Sequence, residues 1–162
     1  MAYITDIQTR TVSFPRKEIF RISTGTSKKI ENVIIRIKTD EIEGTGVAVP
    51  NSVTGDTKKF IITTLKKLQK QIKGQSETIM KSIYFNLYEE SRACACAFDE
   101  SMLDIYSKRS GVPLYKYLNP AAKKKRIETD ITIGVCSTEE TVKRAQRYFR
   151  KGFKILKIKL QG

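Results

Sequence analysis

The chain has 162 residues, with 31 Lys and Arg against 17 Asp and Glu, no His, and a formal net charge of +14. That length suits one ordinary domain, or one domain plus a piece of a second, and it can bury a core without disulfide staples. The missing His excludes Ser–His and Cys–His nucleophile pairs and any His-ligated metal.

Residues 2–14 alternate loosely and are rich in Ile, Thr, Val and Phe, which predicts a strand ending at Pro15. FRISTGTSKK, a Gly among small polar residues, reads as a loop. Asn32–Thr39 predicts a second strand with Val33, Ile35 and Ile37 on one face. Glu43–Pro50 predicts a third, carrying Gly44 and Gly46. Three strands in succession suggest an antiparallel meander.

Helical grammar follows. Residues 57–73 place Ile61, Leu65, Leu68 and Ile72 in one stripe, with Lys on the other side and Gly74 as a stop. Residues 76–89 and 91–109 predict two more helices, and VPLYKYL a short turn or helix. NPAAKKKR reads as a linker. Ile127–Val135 then predicts a strand, Ser137 caps a helix running to Lys151, and Phe153–Leu160 predicts another strand. Strand–helix–strand over this length is one βαβ unit, hence a parallel pair. A parallel sheet needs both faces covered, so the inner face of this pair is expected to stand exposed unless something covers it.

The expected fold class is therefore α+β: a three-stranded meander with helices, then one βαβ unit. The expected boundaries are 1–120 for the first domain, 121–126 for a linker and 127–162 for the second.

Cys94 and Cys96 lie two apart on a predicted helix, so they do not face each other. A disulfide or zinc pair is not expected, and both read as small buried packing residues. An odd cysteine count suggests a reducing, cytoplasmic setting. MAYITDIQTR lacks a charged region followed by an apolar stretch, so no secretory signal is expected. No apolar run approaches the roughly 18 residues of a membrane span, so no membrane partner is expected either.

The positive charge is concentrated. Residues 57–85 carry +6, residues 116–126 carry +5 and residues 141–162 carry +8, leaving the remainder acidic. Such clusters either attract polyanions or are solvated faces of ordinary helices. Under the first reading Lys66, Lys70, Lys124, Arg147 and Lys151 are candidate nucleic-acid contacts.

The stretches FPRKEIFRISTGTS, ENVIIRIKTD, EGTGVAVPNSVTGDT, AFDESMLDIYSKRSGVPLYKYL, IETDITIGV and GFKILKIKL keep a recognisable order. On them the sequence resembles the N-terminal half of an enolase-superfamily enzyme. Within that superfamily it resembles the muconate-lactonizing subgroup and its dipeptide epimerases. The resemblance implies a capping domain followed by the first strand, helix and second strand of a (β/α) barrel. In that family a Mg²⁺ ion holds a substrate carboxylate, and a Lys removes the proton α to it.

The family's Lys-x-Lys motif on the second barrel strand matches Lys157-Ile158-Lys159. Strand alternation puts Ile155, Lys157 and Lys159 on one side. Two ammonium groups on one face disfavour each other's charge, and burial adds to that; this is a route to a lysine base. The same spacing also suits two solvated lysines. The resemblance implies Lys159 as acid/base and Lys157 as its electrostatic neighbour. It also implies substrate-side roles for Arg21 and Thr24 in the closing loop Ile19–Thr26, for Thr54 in a second lid loop, and for Thr132 on the first barrel strand.

Three features depart from the family. Its three carboxylate metal ligands, on barrel strands 3 to 5, and its opposing Lys, on strand 6, correspond to nothing up to Gly162. No metal ligand, and no cofactor held by this chain, is therefore expected. Gly44-Thr45-Gly46-Val47 replaces the usual Gly-x-Gly-Glu, and Lys-Leu-Gln-Gly stands where Lys-Leu-Gly is usual. The expectation is a truncated epimerase-like protein, inactive as an isolated chain, that pairs with itself or with a complementary C-terminal half-barrel. The alternative is a repurposed, non-catalytic basic binding or structural protein, with nucleic acid as the candidate ligand.

Overall fold

A computed structural model describes residues 2–22, 25–123 and 126–160. The chain forms two compact units, Met1–Ser13 with Glu31–Ala122, and Phe14–Ile30 with Lys123–Gly162. The outer part of the first hairpin thus groups with the C-terminal segment, an arrangement that boundaries at 120 and 127 did not contain.

Strands β1 (Ile4–Ile22), β2 (Gly25–Thr39) and β3 (Glu43–Ala48) form an antiparallel sheet in the order β1–β2–β3. β1 does not stop at Pro15 but continues to Ile22, and most of the stretch read as a loop is strand. β1 lies at the sheet edge, where a residue without an N–H is tolerated.

In the first unit, Val33, Ile35 and Ile37 of β2 are fully buried, as their alternation predicted. Opposite them in register stand Ala48, Gly46 and Gly44 of β3. These small residues let the long helix α3 (Arg92–Arg109) approach the sheet. A Cβ on Gly46 would lie 1.9 Å from the Ala97 carbonyl oxygen, and one on Gly44 would lie 2.1 Å from that of Ser101.

The outer edge of β3 is closed by the same helix. Thr45 N–H donates to Asp104 at 2.9 Å and Val47 N–H to Glu100 at 2.8 Å. Carboxylates thereby satisfy an edge that would otherwise be open to pairing.

Helix α1 (Lys58–Ile72) buries Ile61, Leu65, Leu68 and Ile72 against this core. Thr57 caps it, accepting from Phe60 N–H, and Gly74 turns the chain away with a φ of +82°. The third predicted helix is present, but the second is shorter than predicted. A 3₁₀ turn, Glu77–Ile79, precedes α2 (Met80–Glu90) because Ser76 caps the turn through Thr78 N–H. α4 (Leu114–Leu118) follows α3. Cys94 is buried in the core, whereas Cys96 is exposed: two residues along a helix is about half a turn of the wheel.

In the second unit, β4 (Asp130–Ile133) and β5 (Ile155–Ile158) form the predicted parallel pair, each shorter than predicted. Helix α5 (Thr138–Arg150) connects them, capped by Ser137 through Glu140 N–H and ended by Gly152 at a φ of +89°. No helix among the described residues is long and apolar enough to cross a membrane.

Candidate functional site

The second unit brings several predicted residues to one place, the C-terminal ends of β4 and β5. Thr132 and Lys157 are direct register partners. One step further, Lys159 N–H donates to the Ile133 carbonyl at 3.0 Å, extending the ladder past β5. Strand alternation puts Lys157 and Lys159 on the same side as Thr132. In barrels of this type the C-terminal strand ends are where reacting groups collect.

The hairpin arrives at the same end. Val135 N–H donates to the Arg21 carbonyl at 2.8 Å. Gly134 makes the approach possible. A Cβ there would meet the Arg21 carbonyl oxygen at 2.8 Å and the Phe20 ring at 3.3 Å. Arg21 therefore enters through its backbone, while its side chain stands exposed.

Lys157 and Lys159 are both exposed, and Thr132 is half-buried. Among the described residues neither ammonium group has an ion-pair partner. Burial, one of the two influences expected on this pair, is absent in this chain. Ile155 and Ile158 of β5 are also about half exposed, and Ile133 and Gly134 are the only buried residues described in this unit.

Thr54 lies in the first unit, in the loop after β3. Its hydroxyl donates to Asp56 at 2.7 Å and also reaches the Asn51 carbonyl. The loop turns at Gly55, with a φ of +76°. It is pinned by Asp56, which is buried and accepts from Ser91 Oγ and Ala93 N–H at the start of α3. Burial alone would raise this carboxyl; the donors from Ser91, Thr54 and Ala93 outweigh it and hold Asp56 below the usual range.

Lys66 and Lys70 are exposed on α1, in the first unit. Arg147 and Lys151 lie in the second, each over the Tyr148 ring, and Arg147 is also committed to Glu18. Thr24, Lys124 and the Gln161-Gly162 departure fall outside the described residues.

Sequence reasoning missed Glu18 and Gly134, and placed Asp56 in the second lid loop without its buried anchoring role. Glu18 carried one signal: it is the sole acid in residues 14–30, among five cations.

The sequence model of the mandelate racemase / muconate lactonizing enzyme N-terminal domain matches residues 4–118. The hydrophobic dipeptide epimerase of Citrifermentans bemidjiense is 30% identical across 97% of this chain and 45% of its own length. A dipeptide epimerase from Methylococcus capsulatus, solved with Mg and L-Arg-D-Lys, is 31% identical with a TM-score of 0.85, over 99% of this chain and 46% of that one. The substrate-liganded L-Ala-D/L-Glu epimerase of Bacillus subtilis is 29% identical with a TM-score of 0.88, over 98% and 45%. The chain spans a little under half the length of these relatives.

Among the described residues no three His, Cys, Asp or Glu side chains converge. The acids of the second unit are spread out and mostly engaged: Glu18 with Arg144 and Arg147, Glu140 with Arg144, Glu128 with Lys154.

Proposed function

We propose, because the chain belongs to the mandelate racemase / muconate lactonizing enzyme family, that residues 1–162 are the base-bearing and substrate-covering half of a dipeptide-epimerase-type fold. The supporting observation is the convergence of Thr132, Lys157 and Lys159 with the Arg21 end of the hairpin at the ends of two parallel strands. In this reading Lys159 takes a proton from the carbon α to a carboxylate, and Lys157 is its charged neighbour. The hairpin carrying Arg21 covers the substrate.

By the same reading these residues do not turn over a dipeptide alone. Catalysis needs groups that stabilise the charge developing in the transition state, usually the largest single contribution. Of the described carboxylates, Glu18 and Glu140 are paired with Arg144, Glu128 with Lys154, and Asp104 and Glu100 accept backbone N–H groups. Exposure also leaves both lysines solvated. The missing groups would come from the C-terminal half of such a barrel, joined or separate. That half is the partner of first choice, with a second copy of this chain next.

The test is loss of the α-proton signal of a dipeptide in D₂O with Mg²⁺, followed by NMR. The chain alone is expected to give no loss. Mixed with the C-terminal half of the Methylococcus epimerase it is expected to give measurable loss, abolished by Lys159→Ala. Exchange by the chain alone would overturn the inactivity. A mixture unaffected by Lys159→Ala would overturn the base assignment.

A further inference from the structure

We infer that Glu18 is an electrostatic latch, the residue that holds the β1–β2 hairpin on the β4–α5 segment and so fixes where Arg21 sits. Glu18 Oε1 accepts from Arg147 Nη2 at 2.5 Å, and its Oε2 lies 3.6 Å from Arg144 Nη1. Arg144 is presented for this contact by its own helix, because its Nε donates to Glu140 Oε1 at 2.6 Å.

Charge sign makes Glu18 decisive. Residues 14–30 carry five cations and this one acid, while α5 carries four cations and two acids. Both surfaces are basic, so without Glu18 the hairpin meets α5 as like charge on like charge. One carboxylate between two guanidinium groups reverses that sign locally.

Among the described residues the contact also includes the Val135 N–H to Arg21 carbonyl bond and the close approach of the Arg21 backbone and the Phe20 ring over Gly134, all of them short-range. These need the hairpin already in place and do not steer it. The Glu18, Arg144 and Arg147 side chains are partly exposed, at 37%, 21% and 44%. Water and salt therefore reach the latch, and its strength falls as ionic strength rises.

The latch deepens the proposed function, in which this hairpin covers the substrate, but its test needs no substrate. Hydrogen exchange of the Val135 and Lys159 amides is followed by NMR in the full 162-residue chain. Val135 reports the hairpin contact; Lys159, bonded to Ile133, reports the β4–β5 pair itself.

Glu18→Gln is expected to speed Val135 exchange by roughly three- to tenfold, the range of a pair of partly exposed ion pairs, and to leave Lys159 unchanged. Raising NaCl on the unmodified chain should do the same, which keeps the test usable if the variant fails to fold. Equal Val135 rates in both experiments would overturn the latch. So would equal acceleration of both amides, since Glu18 would then support the whole unit. A latch that passes while the D₂O experiment fails would leave the hairpin device standing and remove its catalytic purpose.

Discussion

Ser91 Oγ donates to Asp56 Oδ1 at 2.5 Å and also accepts from Cys94 N–H, so one hydroxyl ties the loop after β3 to the first turn of α3. Ser91→Ala removes the helix cap and leaves a buried carboxylate short of a donor. The expected loss is about 1–3 kcal/mol, measured by urea unfolding.

Asp56 gives a pH dependence with a definite sign. Its folded-state pKa lies below the ordinary 3.8 because its hydrogen bonds outweigh burial. Its stabilisation is complete above the unfolded value and is lost as pH falls through the folded one. The stability gap between the unmodified chain and Asp56→Asn is therefore expected to be constant near neutrality and to close below pH 3.8. A gap that persists unchanged into stronger acid would contradict this.

Cys94 is a core thiol, not a reactive one. Burial pushes it up to about 11, and Asp56 and Glu90 add to that against the Ser91 hydrogen bond. Iodoacetamide at pH 8 is expected to spare Cys94 in the folded chain and to label it in urea, read by peptide mass mapping.

Gly46→Ala tests the helix–sheet approach. The added methyl would stand 1.9 Å from the Ala97 carbonyl oxygen, a backbone atom that cannot swing aside. A loss of at least about 1–3 kcal/mol is expected on thermal unfolding, the ordinary cost of overpacking. The equivalent change at Gly55, where a Cβ meets nothing within 4 Å, isolates backbone strain from steric clash.

Gly134→Ala tests the second close approach, against the Arg21 carbonyl. Val135 amide exchange is expected to accelerate while Lys159 exchange stays as it was. Together with Glu18→Gln this separates the steric half of the hairpin contact from the charged half.

Much of the architecture was legible locally. The alternation of Val33, Ile35 and Ile37 and the helical stripe Ile61, Leu65, Leu68, Ile72 each encode a buried face, and both are buried. Ser137 and Gly152 bracket α5 as capping chemistry demands. The misreadings have separate causes. Pro15 and the small polar run after it signal a break only if the strand is internal, and β1 is an edge strand. Cys96 was read as buried alongside Cys94 by residue type, although helix geometry turns it away from the core.

The amino-acid order alone determined the periodicities and the caps, because each is an interaction among near neighbours; the strand–helix–strand order implied the parallel pair, and the family resemblance singled out Lys157 and Lys159. Only the folded chain decided that Glu18 meets Arg147, 129 residues away, that β3 glycines receive a helix backbone, and that Asp56 is buried. Such contacts depend on which distant surfaces are brought together, and no local propensity carries that information.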